Sequence, residues 1–497
     1  MKKKTARRTG LLLALAVTAG LITACGGART EAATPEWCPT VAGHQVDCGT
    51  VQRSIVAGQP ELGQVDVAYA RIRHSDASKA TAGTITPNPG GPGVPLISHA
   101  PEAVQLIGDL LSDHDLLLID PRGTGLSGPL ECGGSEADHQ FGNREQQRKM
   151  AADCATALGP KAAGYTSAAT ADDFDAVRAH LEIPKLVLYG ISYGTYLTPV
   201  YAQRHPDTVQ SMVLTGAYPA DADRLARPNA EAVSLALQRI CERSGVCDGN
   251  QAVADLRTVA ARLRTTPLEF TSPRPFALTE AKLATWVFEA ATSNVGADPT
   301  AMTPLGLLPA ALRGAATGDD TGLRQWAELI AGQAAYENIG AYLTITCNDY
   351  PTIWSPNADA AQRREQYDAA IAAAGELGAF SAAGFAAGQR DGGDACLDWP
   401  ATTATRPHDM TEAMPNVPVL VLSGDLDAIT PDSNGKLAAA RFPHATFISV
   451  PNTGHVPDLE PSGCVIGVIG NFIRTGEPGA TECVRAIPPI AVAPVAR

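Results

Sequence analysis

Short apolar segments alternate with helical ones in the first half of the chain. Val65 to Arg73 (VDVAYARIR) alternates apolar and polar residues, which is the pattern of a half-buried strand. Three short apolar runs that end in Gly-containing turns, and the segment Val209 to Leu214, are predicted as further strands. The three runs are Thr84 to Thr86, Asp115 to Ile119 and Lys185 to Tyr189. Strands buried on both faces and separated by helical segments, such as Thr170 to Leu181, predict a mostly parallel sheet covered on both sides.

The pattern changes after residue 217. Ala-rich segments with helical spacing, and no convincing strand among them, continue to about residue 400. Strand patterns then return at Val417 to Leu422 and Ala445 to Val450. We therefore predict one sheet domain in two parts, residues 51–217 and 401–497, with residues 218–400 inserted as a helical cap. The Pro-rich end, residues 487–497, is predicted to fray.

The first 25 residues predict export. A basic start precedes an apolar run of fourteen residues, too few to span a bilayer core, so residues 1–24 are predicted to be a secretory signal. Its end, Ile22-Thr23-Ala24-Cys25, resembles the lipobox of bacterial lipoproteins, which implies a lipid on Cys25 and a lipid-attached linker over residues 25–50. The chain would then be anchored to the outer face of the cell membrane. A secretory cut after Ala33, which would release the chain, is the alternative.

Charge removes one class of function. The 497 residues include 38 basic and 52 acidic ones, for a formal charge of -14. Without the predicted signal, 33 basic residues face 52 acidic ones, for a formal charge of -19. A protein that binds nucleic acid through phosphates needs the opposite sign, so nucleic acid is not an expected partner.

Ten cysteines remain when Cys25 is set aside, and an even number in an exported chain predicts disulfides. Pairing successive neighbours closes the shortest loops, which costs the least entropy. The predicted pairs are Cys38 with Cys48, Cys132 with Cys154, Cys241 with Cys247, Cys347 with Cys396, and Cys464 with Cys483. Zinc is the competing interpretation, but the chain has no C-x-x-C and no histidine at ligand spacing beside a cysteine pair, so no metal is predicted.

A serine nucleophile is predicted at Ser192. The pentad Gly190-Ile191-Ser192-Tyr193-Gly194 matches G-x-S-x-G, directly after a predicted strand and before the helical stretch Thr195 to Arg204. That setting is typical of a nucleophile elbow, in which glycines allow a tight turn that projects the serine above the sheet. A turn serine without catalytic function is the alternative.

Such a serine needs a histidine base and a carboxylate to orient it, and both follow it in the chain. Among the last histidines, His408, His444 and His455, only His455 follows a predicted strand, and sites in parallel sheets form at the carboxyl ends of strands. We therefore predict His455 as the base. The same rule leaves Asp425 and Asp427 as candidates for the acid, and we prefer Asp427 because it lies further into its loop.

Acyl transfer also needs donors for the oxyanion. One is predicted to be the N–H of Tyr193, the residue after the nucleophile. The other should come from the loop Asn88-Pro89-Gly90-Gly91-Pro92-Gly93, where Gly90 and Gly91 let main-chain amides approach a substrate oxygen. An ordinary Gly/Pro turn is the alternative.

A second glycine motif, Gly123-Thr124-Gly125-Leu126-Ser127-Gly128, fits G-x-G-x-x-G and follows a strand. A dinucleotide site also requires a helix opening on the glycines and an acidic residue that ends a second strand about 20 residues on. The following sequence has no such strand, so no dinucleotide and no other cofactor is predicted.

These motifs together resemble a family: the actinobacterial tripeptidyl aminopeptidases, serine peptidases of the α/β-hydrolase superfamily related to proline iminopeptidase. The resemblance covers residues 50–483. It is carried by the Asn88–Gly93 loop, Asp120-Pro121-Arg122-Gly123-Thr124-Gly125, the serine pentad with Thr195, the acid loop ending at Asp427 and Pro431, Gly454-His455, Cys347-Asn348-Asp349 and Cys396-Leu397-Asp398-Trp399-Pro400. The resemblance implies an α/β-hydrolase fold and hydrolysis of short peptides near a free N-terminus, with the cap limiting access.

Two departures from that family leave the substrate open. Thr215-Gly216 stands where an acidic residue before the glycine is expected, and the carboxylates that bind the substrate amine in the family cannot be matched to positions here. An esterase or amidase that acts on a small acyl substrate with the same triad is the second hypothesis. A lipoprotein whose hydrolase fold only binds a partner is the third.

Overall fold

The structure is a computed structural model that describes residues 34–76, 78–333, 338–389, 393–400 and 407–495. The predicted signal, Cys25 and the first part of the predicted linker lie outside the described residues. Among the described residues, no helix has the length and apolar character needed to cross a bilayer.

An eight-stranded sheet lies at the centre of the fold. The strands along the chain are β1 (Val46–Ser54), β2 (Gln64–Ile72), β3 (Gly83–Asn88), β4 (His114–Ile119), β5 (Leu186–Ile191), β6 (Val209–Thr215), β7 (Leu268–Phe270), β8 (Phe276–Leu278), β9 (Glu376–Leu377), β10 (Phe380–Ser381), β11 (Val419–Gly424) and β12 (Ala445–Val450). The central sheet has the order β1-β2-β4-β3-β5-β6-β11-β12. From β4 to β12 neighbouring strands are parallel, whereas β2 pairs antiparallel with both β1 and β4. The predicted mostly parallel sheet is confirmed, with β1 as an additional edge strand.

Helices cover both faces of this sheet. Among the residues described, the helices of the sheet domain and of the cap are α1 (Ala100–Ile107), α2 (Glu136–Phe141), α3 (Arg144–Leu158), α4 (Ser167–His180), α5 (Gly194–Arg204), α6 (Arg227–Ser244), α7 (Gly249–Thr265), α8 (Glu280–Phe288), α9 (Pro304–Ala316), α10 (Thr321–Ala331), α11 (Ile339–Asp349), α12 (Ala360–Ala374), α13 (Ala382–Gly388), α14 (Asp432–Ala439) and α15 (Cys464–Thr475). In β11, Val419 and Val421 join the core under α4 and α5, while Leu420 and Leu422 join the core under α1 and α15. Alternate side chains of the strand thus pack into two apolar cores, one on each face, as expected for a sheet covered on both sides.

The helices between β6 and β11 have an apolar core of their own, formed mainly by α6 to α10 and α13. Two short antiparallel hairpins, β7–β8 and β9–β10, interrupt them, so the expectation of a purely helical cap is wrong in this detail. The expected frayed tail is also wrong for its described part. Ile490 is buried in the cap core, and Ala491 and Ala493 donate backbone hydrogen bonds to Pro299 O and Gly306 O.

Five disulfides lie within the described residues, and they join the successive cysteines proposed from the sequence: Cys38–Cys48, Cys132–Cys154, Cys241–Cys247, Cys347–Cys396 and Cys464–Cys483. Cys347 lies in α11 and Cys396 lies in the segment after α13, so this bridge fixes the end of the helical insertion. The Cys464–Cys483 bridge ties the start of α15 to the segment that follows it.

Candidate active site

Ser192 lies in the sharp turn between β5 and α5. Its φ is +55°, in the left-handed region that residues with a side chain rarely occupy, and its N–H donates to Thr215 O at 3.0 Å. The turn can close because its two glycines lack side chains. A Cβ on Gly194 would lie 2.2 Å from Asn88 O, and a Cβ on Gly190 would lie 2.5 Å from Gly194 O. The strained turn holds Ser192 at the carboxyl end of β5, as a nucleophile elbow requires.

His455 and Asp427 form a hydrogen-bonded pair at the same edge of the sheet. Asp427 follows β11 and His455 follows β12. His455 Nδ1 lies 2.9 Å from Asp427 Oδ2, and both residues are buried. Burial raises the pKa of Asp427, but the facing imidazole of His455 and hydrogen bonds from Thr430 outweigh burial and hold that pKa below its usual value. Asp427 is therefore ionised at neutral pH, which is the state that orients a histidine base.

Thr430 contacts both members of this pair. Its Oγ1 donates to Asp427 Oδ2 at 2.6 Å and lies 2.9 Å from His455 Nδ1. The N–H groups of Ile429 and Thr430 donate to Asp427 Oδ1 at 2.7 and 3.1 Å. Thr430 was not predicted as a site residue, although a threonine three residues after an aspartate in a turn is a recognisable signal for such a bond.

The second ring nitrogen of His455, Nε2, takes no part in the pair with Asp427. His455 Nε2 is buried and has no hydrogen-bond partner within the described part of the chain. His455 and Ser192 line one cavity of about 350 Å³. No hydrogen bond joins the two side chains in this structure, and catalytic hydrogen bonds of this kind commonly tighten only when a substrate binds. The cavity therefore offers a serine hydroxyl and an imidazole nitrogen that can accept its proton.

The other candidates for acid and base have different environments. The Asp425 carboxylate pairs with Arg243 at 2.5 Å, in an ion pair that supports the turn after β12. His444 is exposed at the start of β12. His408 packs edge-on against Tyr196, with 4.4 Å between ring centroids. The structure thus brings Asp427 and His455 together beside the nucleophile turn, and leaves the alternatives outside it.

The loop after β3 packs against the nucleophile turn. Gly90 and Gly91 have φ values of +100° and +105°. A Cβ on Gly90 would lie 2.8 Å from Ser192 Cβ and 2.9 Å from Tyr193 N, so only glycine allows this approach. Gly90 N–H donates to Asn88 Oδ1 at 3.2 Å, whereas the N–H groups of Gly91 and Tyr193 have no acceptor among the residues described. Gly91 and Tyr193 are therefore the better placed oxyanion donors, and Gly90 gives them room.

The second glycine motif has a structural task. Asp120 accepts hydrogen bonds from three backbone N–H groups, those of Leu96, Ile97 and Leu126, at 2.6, 2.8 and 2.8 Å. A Cβ on Gly125 would lie 2.2 Å from Asp120 Oδ2. The glycine loop therefore surrounds the buried Asp120 carboxylate. This carboxylate accepts the Leu126 N–H, a backbone amide that a phosphate at the loop would need.

The helical insertion holds both catalytic loops in place. Thr292, which follows α8, accepts the His455 N–H on its carbonyl at 3.0 Å and the Ala428 N–H on its hydroxyl at 3.3 Å. Asn229 in α6 donates its side-chain amide to Ile429 O at 2.6 Å. Cap residues thus hold the loops that carry Asp427 and His455, and no local sequence pattern predicts these contacts.

One face of α8 forms a wall of the cavity. Lys282, Thr285 and Trp286 of α8 line the cavity together with Glu289, the C-cap of the helix, at the spacing i, i+3, i+4 and i+7 that places side chains on one helix face. Glu136 from α2 lines the cavity as well. The cavity therefore carries two carboxylates and one ammonium in addition to the side chains of Ser192 and His455. None of these was predicted, because their meeting depends on how α2 and α8 pack.

A second buried carboxyl lies close behind the histidine loop. Tyr189 OH donates to Asp458 Oδ2 at 2.5 Å, and Thr215 Oγ1 donates to the same atom at 3.1 Å. Burial raises the pKa of Asp458 to about 6. Thr215, where the resemblance leads us to expect an acidic residue, thus meets a carboxyl that comes from another loop.

Comparison with known proteins agrees with this geometry. Residues 88–261 match the alpha/beta hydrolase fold family, and residues 382–484 match the TAP-like protein family. A tripeptidyl aminopeptidase of Streptomyces lividans is 30% identical over 198 residues, which cover 36% of this chain and 37% of the relative. Serine protease Hip1 of Mycobacterium tuberculosis is 29% identical over 255 residues, which cover 45% and 48%. Carboxylesterase B of the same species is 27% identical over 467 residues, which cover 86% and 84%.

The length of these matches differs between the relatives. The chain spans little more than a third of the length of the Streptomyces aminopeptidase and most of the length of the carboxylesterase. The first family match contains the nucleophile turn and extends into α7, and the second begins at α13 and contains the loops of Asp427 and His455. The chain is therefore similar in these two segments to the alpha/beta hydrolase fold family and to the TAP-like proteins.

Proposed function

We propose that the protein hydrolyses acyl bonds through an acyl-enzyme on Ser192. The observation that carries this proposal is the single cavity lined by Ser192 and by a His455 whose Nδ1 is bonded to the ionised Asp427. His455 Nε2 takes the proton of Ser192 Oγ as the oxygen attacks the substrate carbonyl, and returns it to the leaving group. The amides of Gly91 and Tyr193 stabilise the oxyanion that forms. Water, which gives its proton to His455 in the same way, then attacks the acyl-enzyme and releases the acid.

We further propose that the substrates are short peptides with a free N-terminus. Two carboxylates on the cavity wall, Glu136 and Glu289, support this choice because they attract a protonated amine. The cavity of about 350 Å³ is bounded by α8 of the cap, which favours short ligands over an internal segment of a folded chain. Two of the relatives named above are a tripeptidyl aminopeptidase and a serine protease.

Hydrolysis of a small ester or amide is the second candidate. It is favoured by the carboxylesterase relative, which this chain matches along most of its length. Both candidates use the same triad, and the charged wall of the cavity supports the peptide as substrate. A neutral ester gains nothing from Glu289, whereas a peptide amine does.

The test compares tripeptidyl anilides that have a free amine with the same compounds after acetylation. We expect the free amine to be turned over at least about tenfold faster, since an ion pair lost in a partly buried site costs at least that factor. Glu289→Gln should remove most of this advantage while it leaves hydrolysis of a neutral 4-nitrophenyl ester near the wild-type rate. Equal turnover of free and acetylated anilides would favour the esterase.

We also propose that the protein is exported and lipid-anchored through Cys25. The signal and lipobox patterns support this proposal, and five disulfides are typical of chains that fold in an oxidising compartment. The full chain should partition with membranes, and Cys25→Ala should move it to the soluble fraction. A wild-type chain that is already soluble after export would contradict the anchor and favour the secretory cut.

A further inference from the structure

A lysine ammonium lies in the wall of the catalytic cavity. Lys282 belongs to α8 and lines the cavity together with Ser192 and His455. Its Nζ donates to Gln140 O at 2.6 Å and to Gly142 O at 3.3 Å, and it lies 5.8 Å from the centre of the Trp286 ring. These carbonyls come from the C-terminal end of α2, where a cation is favourable.

The surroundings of Lys282 lack an anion. Within the described part of the chain no carboxylate pairs with it, in contrast to the buried Arg122, which is paired with Asp173 at 2.7 Å. Burial without a counterion lowers the pKa of Lys282 to about 8. An ammonium has three N–H donors, and the two carbonyls use two of them. Lys282 thus retains a charge and a donor for a ligand in the cavity.

The distance between Lys282 and Glu289 sets a length for that ligand. The two residues are seven positions apart on one helix face, so their backbones are separated by about 10 Å along the axis. An extended peptide advances about 3.3 to 3.6 Å for each residue. A zwitterionic peptide of roughly three to four residues therefore matches an acidic group at one end of this face and a basic group at the other.

We propose that Lys282 binds a carboxylate of the substrate, so that the cavity selects short peptides that carry a free carboxylate beyond the scissile bond. This inference rests on the proposed peptidase function and names the class of peptide that it acts on. The carboxylate comes either from the C-terminus of a peptide of three to four residues or from an acidic side chain. The scissile carbonyl then lies between the amine and the carboxylate, over Ser192.

The experiment uses matched peptides and follows the release of product. Tetra-alanine as the free acid is compared with its C-terminal amide, and an amidated tetrapeptide with Glu at the fourth position is compared with its Gln counterpart. The wild-type chain should show kcat/KM about tenfold higher for the free acid, since a charge-assisted hydrogen bond contributes at least that factor. A preference for Glu over Gln, without one for free acid over amide, would identify the side chain as the source of the carboxylate and would equally support the inference.

Variants assign the preference to Lys282. Lys282→Met and Lys282→Gln, which keeps a donor to Gln140 O, should both bring the two kcat/KM values together by lowering the value for the free acid about tenfold. Lys149→Met removes an exposed lysine that pairs with Asp153 on α3, and it should leave the preference intact. Circular dichroism spectra and urea unfolding midpoints close to those of the wild-type chain show that the variants are folded.

Failure of the inference differs from failure of the proposed function. Peptides cleaved with equal kcat/KM as acid and amide, and as Glu and Gln forms, or a preference that survives Lys282→Met, would overturn the inference and leave the peptidase standing. No cleavage of any peptide would overturn the peptidase. The inference is then decided by 3-(4-acetoxyphenyl)propionate against 3-(4-acetoxyphenyl)propanamide, which differ only in a carboxylate on the leaving group: a preference for the first ester that is lost in Lys282→Met supports a carboxylate site, and equal rates reject it.

Discussion

Replacing Thr430 by valine tests whether the Asp427–His455 pair depends on its third partner. Thr430 is fully buried, and its hydroxyl donates to Asp427 Oδ2 at 2.6 Å. Valine has nearly the same shape but no hydroxyl, so the variant removes one hydrogen bond to a buried charge. Such a bond contributes about 1.5 to 3 kcal/mol. We expect the unfolding free energy at pH 7 to fall by about 2 kcal/mol and kcat/KM to fall about tenfold.

The pH dependence of this loss follows from the sign of the pKa shift. The pKa of Asp427 is held below its usual value in the folded protein, so the carboxylate adds stability above its unfolded pKa, and that stability is lost as the pH falls through the folded pKa. Part of the depression comes from Thr430. The difference in stability between the wild-type chain and Thr430→Val should therefore narrow as the pH is lowered below about 4.

Urea unfolding followed by circular dichroism gives the stability, and hydrolysis of a 4-nitrophenyl ester gives the activity. Thr430→Ser is the matched control, because it keeps the hydroxyl and loses only a methyl group. It should retain kcat/KM within about threefold, although a lost methyl group costs about 1 kcal/mol of stability. Wild-type activity in Thr430→Val, or an equal loss of activity in Thr430→Ser, would refute the role of this hydroxyl.

Three further substitutions probe other contacts. Asp427→Asn should lower kcat by about 10³ to 10⁴, whereas Asp425→Asn should cost stability through the lost ion pair and keep the activity; the reverse order in ester assays would show that the wrong acid was chosen. Gly90→Ala would place a Cβ 2.8 Å from the nucleophile's Cβ, so kcat should fall at least about 100-fold, and a near-normal kcat would contradict the packing described. Asp458 has a folded pKa of about 6, raised by burial, so the wild-type chain should lose roughly 3 kcal/mol of stability between pH 4 and pH 7, which Asp458→Asn should not lose. Unfolding free energies with the same pH dependence in both chains would contradict this assignment.

The strands of the central sheet were predictable where both faces are buried. Residues in β5 and β11 are buried along their whole length, which produces the apolar runs on which those predictions depended. β1 was missed because its residues are only half-buried at the edge of the sheet, and its sequence, VDCGTVQRS, shows no clear alternation. An edge strand owes its conformation to pairing with β2 more than to its own pattern.

Helices α2 and α3 were missed although the sequence signals their starts. Ser135 with Asp138 and Asn143 with Gln146 form capping boxes at the two N-termini, and both pairs have the expected spacing of three residues. These two helices have few apolar residues, because little of their surface faces a core. No apolar periodicity therefore predicted them. Their effect on the site is large, since Glu136 and the carbonyl of Gln140 belong to α2.

The candidate catalytic residues could be predicted from the sequence, whereas the charged residues of the cavity wall could not. Ser192, Asp427 and His455 each follow a strand, so they could be chosen from the serine pentad, the rule that parallel strands end at one edge and the position of Asp427 in its loop. Their roles stay predictions. Lys282 and Glu289 lie on a cap helix whose orientation is set by packing among α6, α7 and α9. No local pattern encodes that orientation, so the charges that select a substrate could not be predicted.

The most direct test of the central claim is covalent labelling of the active serine. The full chain is treated with a fluorophosphonate and digested, and the modified residue is identified by mass spectrometry. The triad predicts one adduct, on Ser192, which is absent in Ser192→Ala and forms much more slowly in His455→Gln. Labelling that persists in Ser192→Ala, or an unchanged rate in His455→Gln, would contradict a nucleophile at Ser192 activated by His455.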